Sequence, residues 1–295
     1  MKQFAIRFGN ILFTLAALSS ALAEANSLDD ADGLATEISM PKGAKVERDL
    51  AYGPDDKQTM DVYLPEHAAA APVIFMVHGG AWMVGDKAAD AVVANKVARW
   101  LPRGFIVVST NYRLLPAADP LVQANDVAKA LSFAQSKSKS WGGDPTRFIL
   151  MGHSAGAHLV SLLAADTGIA TRQGAKAWLG TVALDSASLD VVQTMEAKHM
   201  RFYDRVFKQD PAYWRSVSPL HRLTGIAGPM LLVCSSQRDD ACPQARHFAA
   251  KVTSSGGRVT ILPIALSHRE INKDLGLAGK YTEGVESFMH SLGLP

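Results

Sequence analysis

What the chain has little of narrows it first. Lys and Arg number 30 against 28 Asp and Glu, and no block of one sign stands out. Nucleic-acid binding therefore has no electrostatic support. Beyond the N-terminus no apolar run is long enough to span a bilayer, which takes about 20 residues. There is no internal repeat and no low-complexity linker. Neither G-x-x-x-x-G-K nor G-x-G-x-x-G occurs, so Gly79-Gly80 is not read as a phosphate cradle. Glu196 and His199 are placed to share a helical face, but no further ligands gather with them, and no metal or other cofactor is expected. Cysteine is scarce, with only Cys234 and Cys242. What remains is a chain of 295 residues, 48% of them hydrophobic. That suits a packed globular protein of one large α/β domain or two small ones.

The N-terminus is read separately. Lys2 and Arg7 precede the apolar stretch Ile11-Leu12-Phe13-Thr14-Leu15-Ala16-Ala17-Leu18, which leads to Ala21-Leu22-Ala23. This is the pattern of a secretory signal cut after Ala23, or after Ala25, so residues 1–23 are expected to be removed. Both of the leader's charges are positive, so the remaining chain is neutral. A secreted or periplasmic location permits disulfides, and a bond between Cys234 and Cys242 is favoured over two thiols. Residues 24–43 are polar and unpatterned and read as a flexible arm. Residues 44–295 are expected to form one domain.

Within that domain, two strands flank the turn Gly53-Pro54-Asp55-Asp56. Pro72-Val73-Ile74-Phe75-Met76-Val77 is continuously apolar and suits a strand buried on both faces. It ends at His78-Gly79-Gly80-Ala81-Trp82. Asp86 is the expected cap of a helix reaching Trp100. Further strands are read at 104–109, 148–151, 178–184, 230–233 and 259–262, with helices over 119–137 and near 244–252 and 282–292. Residues 186–228 break the alternation and carry aromatics among charges. They are expected to hold short helices and to form a small lid insertion. Alternating strands and helices predict a mainly parallel sheet covered on both faces, with its site at the carboxyl ends of the strands.

Gly152-His153-Ser154-Ala155-Gly156 stands at one such end. A G-x-S-x-G turn between strand and helix holds its Ser in a strained conformation with the hydroxyl exposed. A Ser hydroxyl becomes nucleophilic when a His takes its proton and a carboxylate holds that His. His268, after the last strand, is the expected base. The chain order Ser…Asp…His places the acid after strand 230–233, at Asp239 or Asp240, with Asp185 as the outside candidate. Oxyanion donors are expected from the amides of Ala155, Gly80 and Ala81, with Gly79 less firmly assigned. His158, one helical turn past Ser154, is read as packed or capping. Trp82, Tyr112, Phe202, Phe207 and Trp214 are read either as pocket walls or as core.

Together, His78-Gly79-Gly80-Ala81-Trp82, Gly85-Asp86-Lys87, Asn111-Tyr112-Arg113-Leu114, Gly142-Gly143-Asp144-Pro145 and the Ser154 motif resemble the α/β-hydrolase fold. More narrowly, they resemble the serine carboxylesterases of the feruloyl-esterase-like and kynurenine-formamidase-like branch near hormone-sensitive lipase. The resemblance covers nearly all of residues 45–292. It favours Asp239 over Asp240, because Asp239 stands four residues before Pro243. It implies an esterase acting on small-molecule carboxylic esters through an acyl-enzyme, without a cofactor, to which the N-terminal pattern adds export. An aryl formamidase is the alternative, and a non-catalytic binding module on the same fold is the second. Ala81 stands where the family often has a third Gly, and the long N-terminal cap of the lipase relatives is absent.

Overall fold

The computed structural model describes residues 37–186 and 188–295. The expected leader, 1–23, and residues 24–36 of the expected arm lie outside the described residues. The end of that arm is not loose. Ile38 is buried, and Met40 and Ala44 pack beside it against one face of the sheet.

Eight strands form a single sheet among the described residues: β1 (Lys45–Ala51), β2 (Thr59–Leu64), β3 (Ala71–Val77), β4 (Ile106–Thr110), β5 (Gly143–His153), β6 (Gly180–Leu184), β7 (Met230–Ser235) and β8 (Val259–Ile264). Their order is β1-β2-β4-β3-β5-β6-β7-β8. β2 pairs antiparallel with both β1 and β4. The pairings from β4 through β8 are parallel. The α-helices between β3 and β6 are α1 (Asp90–Trp100), α2 (Pro120–Lys137), α3 (Ala155–Ala165) and α4 (Thr167–Arg172). Residues 186–228 hold four short helices: α5 (Val191–Glu196), α6 (Phe202–Phe207), α7 (Pro211–Ser216) and α8 (Pro219–Arg222). The chain ends with α9 (Ala241–Ser254), α10 (His268–Lys273) and α11 (Lys280–His290).

The continuous apolar runs serve two layers at once. Side chains alternate across a strand. Val73, Phe75 and Val77 of β3 therefore join Leu131 of α2 and Leu159 of α3 in one buried layer. Ile74 and Met76 face the other way, among Val93 of α1 and Met289 of α11. Each fully buried side chain of this size contributes about 1.5–3 kcal/mol by leaving water. The covering of both faces leaves the strand ends as the place where polar groups gather.

Two local expectations are revised. α1 begins at Asp90, not after Asp86. The Asp86 carboxylate instead accepts from Ala88 N–H at 2.9 Å and from Asn111 Nδ2 at 3.0 Å, bracing the loop after β3. His268 lies at the first position of α10, not in an open loop. Ser267 accepts from Glu270 N–H at 3.3 Å, and Glu270 Oε2 accepts from Ser267 N–H at 2.8 Å. This reciprocal capping box satisfies helix-start amides and fixes where His268 enters.

Cys234 on β7 and Cys242 on α9 form a disulfide, closing a loop of sequence separation 8. A ring this small restricts the unfolded chain modestly, by about 2–3 kcal/mol in the chain-entropy account. Replacing both cysteines with Ser is expected to lower the unfolding free energy by that amount. Urea unfolding of the two proteins at pH 7 measures it, and equal midpoints would refute a stabilising bond.

Candidate active site

The sharp turn after β5 follows from two missing side chains. A Cβ at Gly152 would lie 2.4 Å from Gly156 O, and one at Gly156 would lie 2.2 Å from Val77 O. Without them the chain doubles back and α3 starts against the end of β3. Ser154 sits in the bend at φ 53°, ψ −116°. That is a left-handed conformation costing about 1–3 kcal/mol for a residue with a Cβ. It is held by Ser154 N–H donating to Leu184 O at 3.0 Å and by Ser154 O accepting from His158 N–H at 3.0 Å. Its side chain is partly exposed while its neighbours are buried.

Asp185 follows β6 directly and is fully buried. Its N–H donates to Val233 O at 2.8 Å. Its Oδ1 accepts from Ser235 N–H at 2.6 Å, and its Oδ2 accepts from His268 Nδ1 at 2.5 Å and from Arg238 Nη1 at 2.9 Å. Burial alone would raise its pKa. The His268 hydrogen bond, the charges of His268 and Arg238, and the Ser235 amide outweigh burial and bring it down to about 2. The group is therefore a carboxylate throughout the working range.

The acid favoured from sequence, Asp239, is not the one against His268. It is exposed and lines a cavity of about 450 Å³ with Gln193, His199, Met200 and Tyr203. The reason is geometric. Asp185 already occupies the space beside Nδ1, and the 236–240 loop turns Arg238 inward, not Asp239. Asp240 is spent on Arg238, at 3.2 Å from its Nε. The outside candidate, Asp185, is the partner. One signal in the sequence favours it: Asp185 is the first residue past its strand, whereas Asp239 stands four past the end of β7.

His268 is buried between groups of both signs. Its carbonyl accepts from His153 Nε2 at 3.0 Å, and the two imidazoles lie 4.4 Å apart between centroids. Desolvation first, then His153 and Arg238, push the His268 pKa down, against the opposing pull of Asp185. At neutral pH the imidazole is uncharged and can accept a proton. His153 belongs to the same edge as Ser154, so it brings the Ser154 turn and His268 together. The sequence reading gave His153 no such role.

The loop after β3 carries a run of left-handed residues: Gly80 at φ 106°, Ala81 at φ 52° and Trp82 at φ 61°. Gly80 O accepts from Met83 and Val84 N–H, both at 3.0 Å. That turn leaves the Gly80 and Ala81 amides out of its own hydrogen bonding. A Cβ at Gly80 would meet Val84 O at 2.1 Å, so only Gly fits there. The first amide of α3, Ala155, has no intrahelical acceptor and opens on the same edge. Gly80, Ala81 and Ala155 are thus gathered where the end of β3 meets the start of α3.

Trp82 holds this loop in place. Its Nε1 donates to His158 Nδ1 at 3.2 Å, and Phe207 meets its ring edge-on at 5.1 Å. Its carbonyl accepts from Gln123 Nε2 at 2.9 Å. His158 then donates from Nε2 to Val217 O at 2.7 Å. It is a packed strut between α3, the β3 loop and the 186–228 insertion. Of the other aromatics, Tyr112 stacks on His78 at 4.5 Å, and Trp214 Nε1 donates to Phe207 O at 3.1 Å. These rings serve packing, while Phe202 stays half-buried beside Tyr203. The motifs around Asn111 are also scaffolding. Arg113 grips Asp126 through Nη2 at 2.6 Å and Nε at 2.8 Å.

Comparison with known proteins fits this architecture. The BD-FAE family model matches residues 60–248. The isoprenylcysteine alpha-carbonyl methylesterase ICMEL2 of Arabidopsis thaliana is 33% identical over 132 residues, covering 44% of this chain and 31% of that protein. Esterase LipQ of Mycobacterium tuberculosis is 28% identical over 233 residues, covering 70% and 53%. The chain therefore spans about a third to a half of the length of these relatives. The crystal structure of Esterase B from Lactobacillus rhamnosis superposes with a TM-score of 0.73 at 20% identity, covering 95% of this chain and 94% of that one. At that identity the likeness is one of fold, an α/β-hydrolase.

His158 gives the strut a pH dependence. Burial lowers its pKa from 6.5 to about 4. As pH falls below about 6.5 the unfolded chain takes up the proton first, so stability is lost down to about 4 and the loss then saturates. The expected contribution is on the order of 3 kcal/mol between those limits. His158→Gln is expected to flatten the dependence by that amount in urea unfolding at pH 7, 5.5 and 4. The His268 contribution is common to both proteins and cancels. Parallel curves would show that His158 is not buried in its neutral form.

Proposed function

The chain belongs to the BD-FAE family of α/β-hydrolases, and on that footing we propose that it is a serine carboxylesterase using Ser154, His268 and Asp185. The observation that carries the proposal is the buried contact of Asp185 Oδ2 with His268 Nδ1, beside the turn that strains Ser154. In this reading the Nδ1 proton is engaged by Asp185, and Nε2 keeps the lone pair that takes the Ser154 proton. Ser154 Oγ attacks the carbonyl carbon of a small-molecule ester. The oxyanion is met by the amides of Gly80, Ala81 and Ala155, each worth about 10²–10³ in rate in comparable sites. His268 then returns its proton to the leaving alkoxide. Water, deprotonated by His268, attacks the acyl-Ser154 ester and releases the carboxylic acid. Asp185 stabilises the imidazolium and remains ionised, as its pKa of about 2 requires.

We also propose that the protein works in an exported, oxidising compartment. The leader-like residues 1–23 support this, as does the Cys234–Cys242 disulfide, a bond that persists in such compartments.

Initial rates on p-nitrophenyl esters of graded acyl length test the activity. Ser154→Ala is expected to abolish turnover. Preference for an aryl formamide over every ester would overturn the esterase reading. Asp185→Asn is expected to lower kcat by about 10³–10⁴-fold, and Asp239→Asn to leave it within about threefold. The reverse pattern would restore Asp239 as the acid. Because the His268 pKa is lowered, kcat/KM should fall on acidification with a midpoint below the ordinary histidine value of about 6.5. A midpoint above that value would contradict the described environment.

A further inference from the structure

The loop between β7 and α9 is tied at its ends by Cys234–Cys242 and delivers one side chain, Arg238, to the buried acid–base pair. Its Nη1 lies 2.9 Å from Asp185 Oδ2 and 2.6 Å from His268 Nδ1. The other side of the guanidinium is braced by Asp240, with Nε 3.2 Å from Oδ1 and Nη2 3.3 Å from Oδ2. The cation is mostly covered, its side chain only 22% exposed. It is therefore a held charge and not a passing surface ion pair.

Nδ1 has one site for a proton or a lone pair. When it donates to Asp185, the Arg238 N–H must turn to Asp185 Oδ2, and the two donors share one carboxylate oxygen. When it accepts from Arg238, the proton of the neutral ring moves to Nε2 and leaves no lone pair there for a base. A fixed cation at this distance also opposes a second positive charge on the ring. Asp185 divides its attraction between two cationic partners when the imidazole is protonated.

We propose that Arg238 is a positioning residue that keeps the resting His268 imidazole neutral and thereby extends the enzyme's working range toward acid. The inference rests on His268 being the base. The disulfide-closed loop and Asp240 fix where the guanidinium stands. Other titratable groups surround the pair and are unchanged by altering Arg238. His153 faces His268 from the end of β5. The Asp185 charge acts on Tyr281 of α11, and Tyr203 of α6 acts on Arg238. Glu270, on the helix of His268 itself, is occupied in the capping box. Removing the Arg238 charge relieves the repulsion and leaves Asp185 Oδ2 to His268, and both changes raise the affinity of His268 for a proton.

The test is the titration of His268 in the resting, ligand-free protein. It is followed by NMR of ¹³C-labelled histidine, with a His268→Gln spectrum for assignment, in wild type, Arg238→Gln and Arg238→Lys. The expected result is a His268 midpoint displaced upward in Arg238→Gln and returned toward wild type in Arg238→Lys. The acid limb of kcat/KM on a p-nitrophenyl ester should move the same way, with the alkaline plateau changed less than about tenfold. A merely structural role would lower kcat/KM evenly across pH with the midpoint unmoved, and that result would overturn the proposal. So would a downward displacement. If Arg238→Gln fails to fold, Arg238→Met keeps the stem's packing without the charge and is read by the same criterion. If the midpoint rises but the acid limb does not follow it, the positioning of His268 stands and its assignment as the base fails.

Discussion

Everything at the carboxyl edge of the sheet is arranged around the ionised carboxylate of Asp185. A charge this deeply buried is costly unless each lone pair meets a donor. The donors come from three separate places: the Ser235 amide on β7, the Arg238 guanidinium on the following loop, and the His268 ring at the start of α10. Satisfying the two oxygens of Asp185, Oδ1 by Ser235 and Oδ2 by Arg238 and His268, therefore ties together β6, β7 and the return from β8. The capping box at Ser267 and Glu270, the disulfide and the His153 hydrogen bond each fix one of those donors or its neighbour.

A second group of constraints holds strain in the loop after β3. Left-handed backbone at Ala81 and Trp82 costs on the order of 1–3 kcal/mol each. The surroundings over-determine it. Trp82 is fixed by His158, Phe207 and Gln123, and the residues just beyond are held by Asp86 and Asn111. Lys87 adds a buried anchor through Asp61 at 2.9 Å. The polar motifs between residues 85 and 126 thus support the loop without entering the chemistry. The four short helices of 186–228 reach the same loop through Tyr203 and Phe207.

Much of this was legible in the sequence, for identifiable reasons. Continuous apolar runs such as β3 announce strands covered on both faces, and the Gly-flanked Ser154 announces a turn that only small neighbours permit. The disulfide followed from an even pair of cysteines behind a leader-like N-terminus. Which carboxylate meets His268 was not legible, because it depends on which of two loops turns a carboxylate inward. Nothing in Gln237-Arg238-Asp239-Asp240 says that the arginine faces the core. The α10 capping box was present as Ser267 and Glu270 at the right spacing, but the stretch read as a loop because fewer than two helical turns follow it. His158 was legible as a packed residue, but the role of His153 stayed hidden, since a buried imidazole can be donor, acceptor or filler according to its neighbours.

The backbone of the site extends the sheet by one rung. Ser154 N–H donates to Leu184 O, Asp185 N–H to Val233 O, and Ser236 N–H to Ile264 O at 2.9 Å. Each residue just past its strand thus keeps the ladder that its strand began. Amides bonded in this way exchange with solvent only when the neighbouring strands part, so their protection from hydrogen exchange approaches that of the core. The helices of residues 186–228 lie outside that ladder and are held instead by side-chain packing, with Val206, Phe207 and Val217 fully buried. Through the ladder, Ser154 and Asp185 are held as firmly as the sheet beneath them.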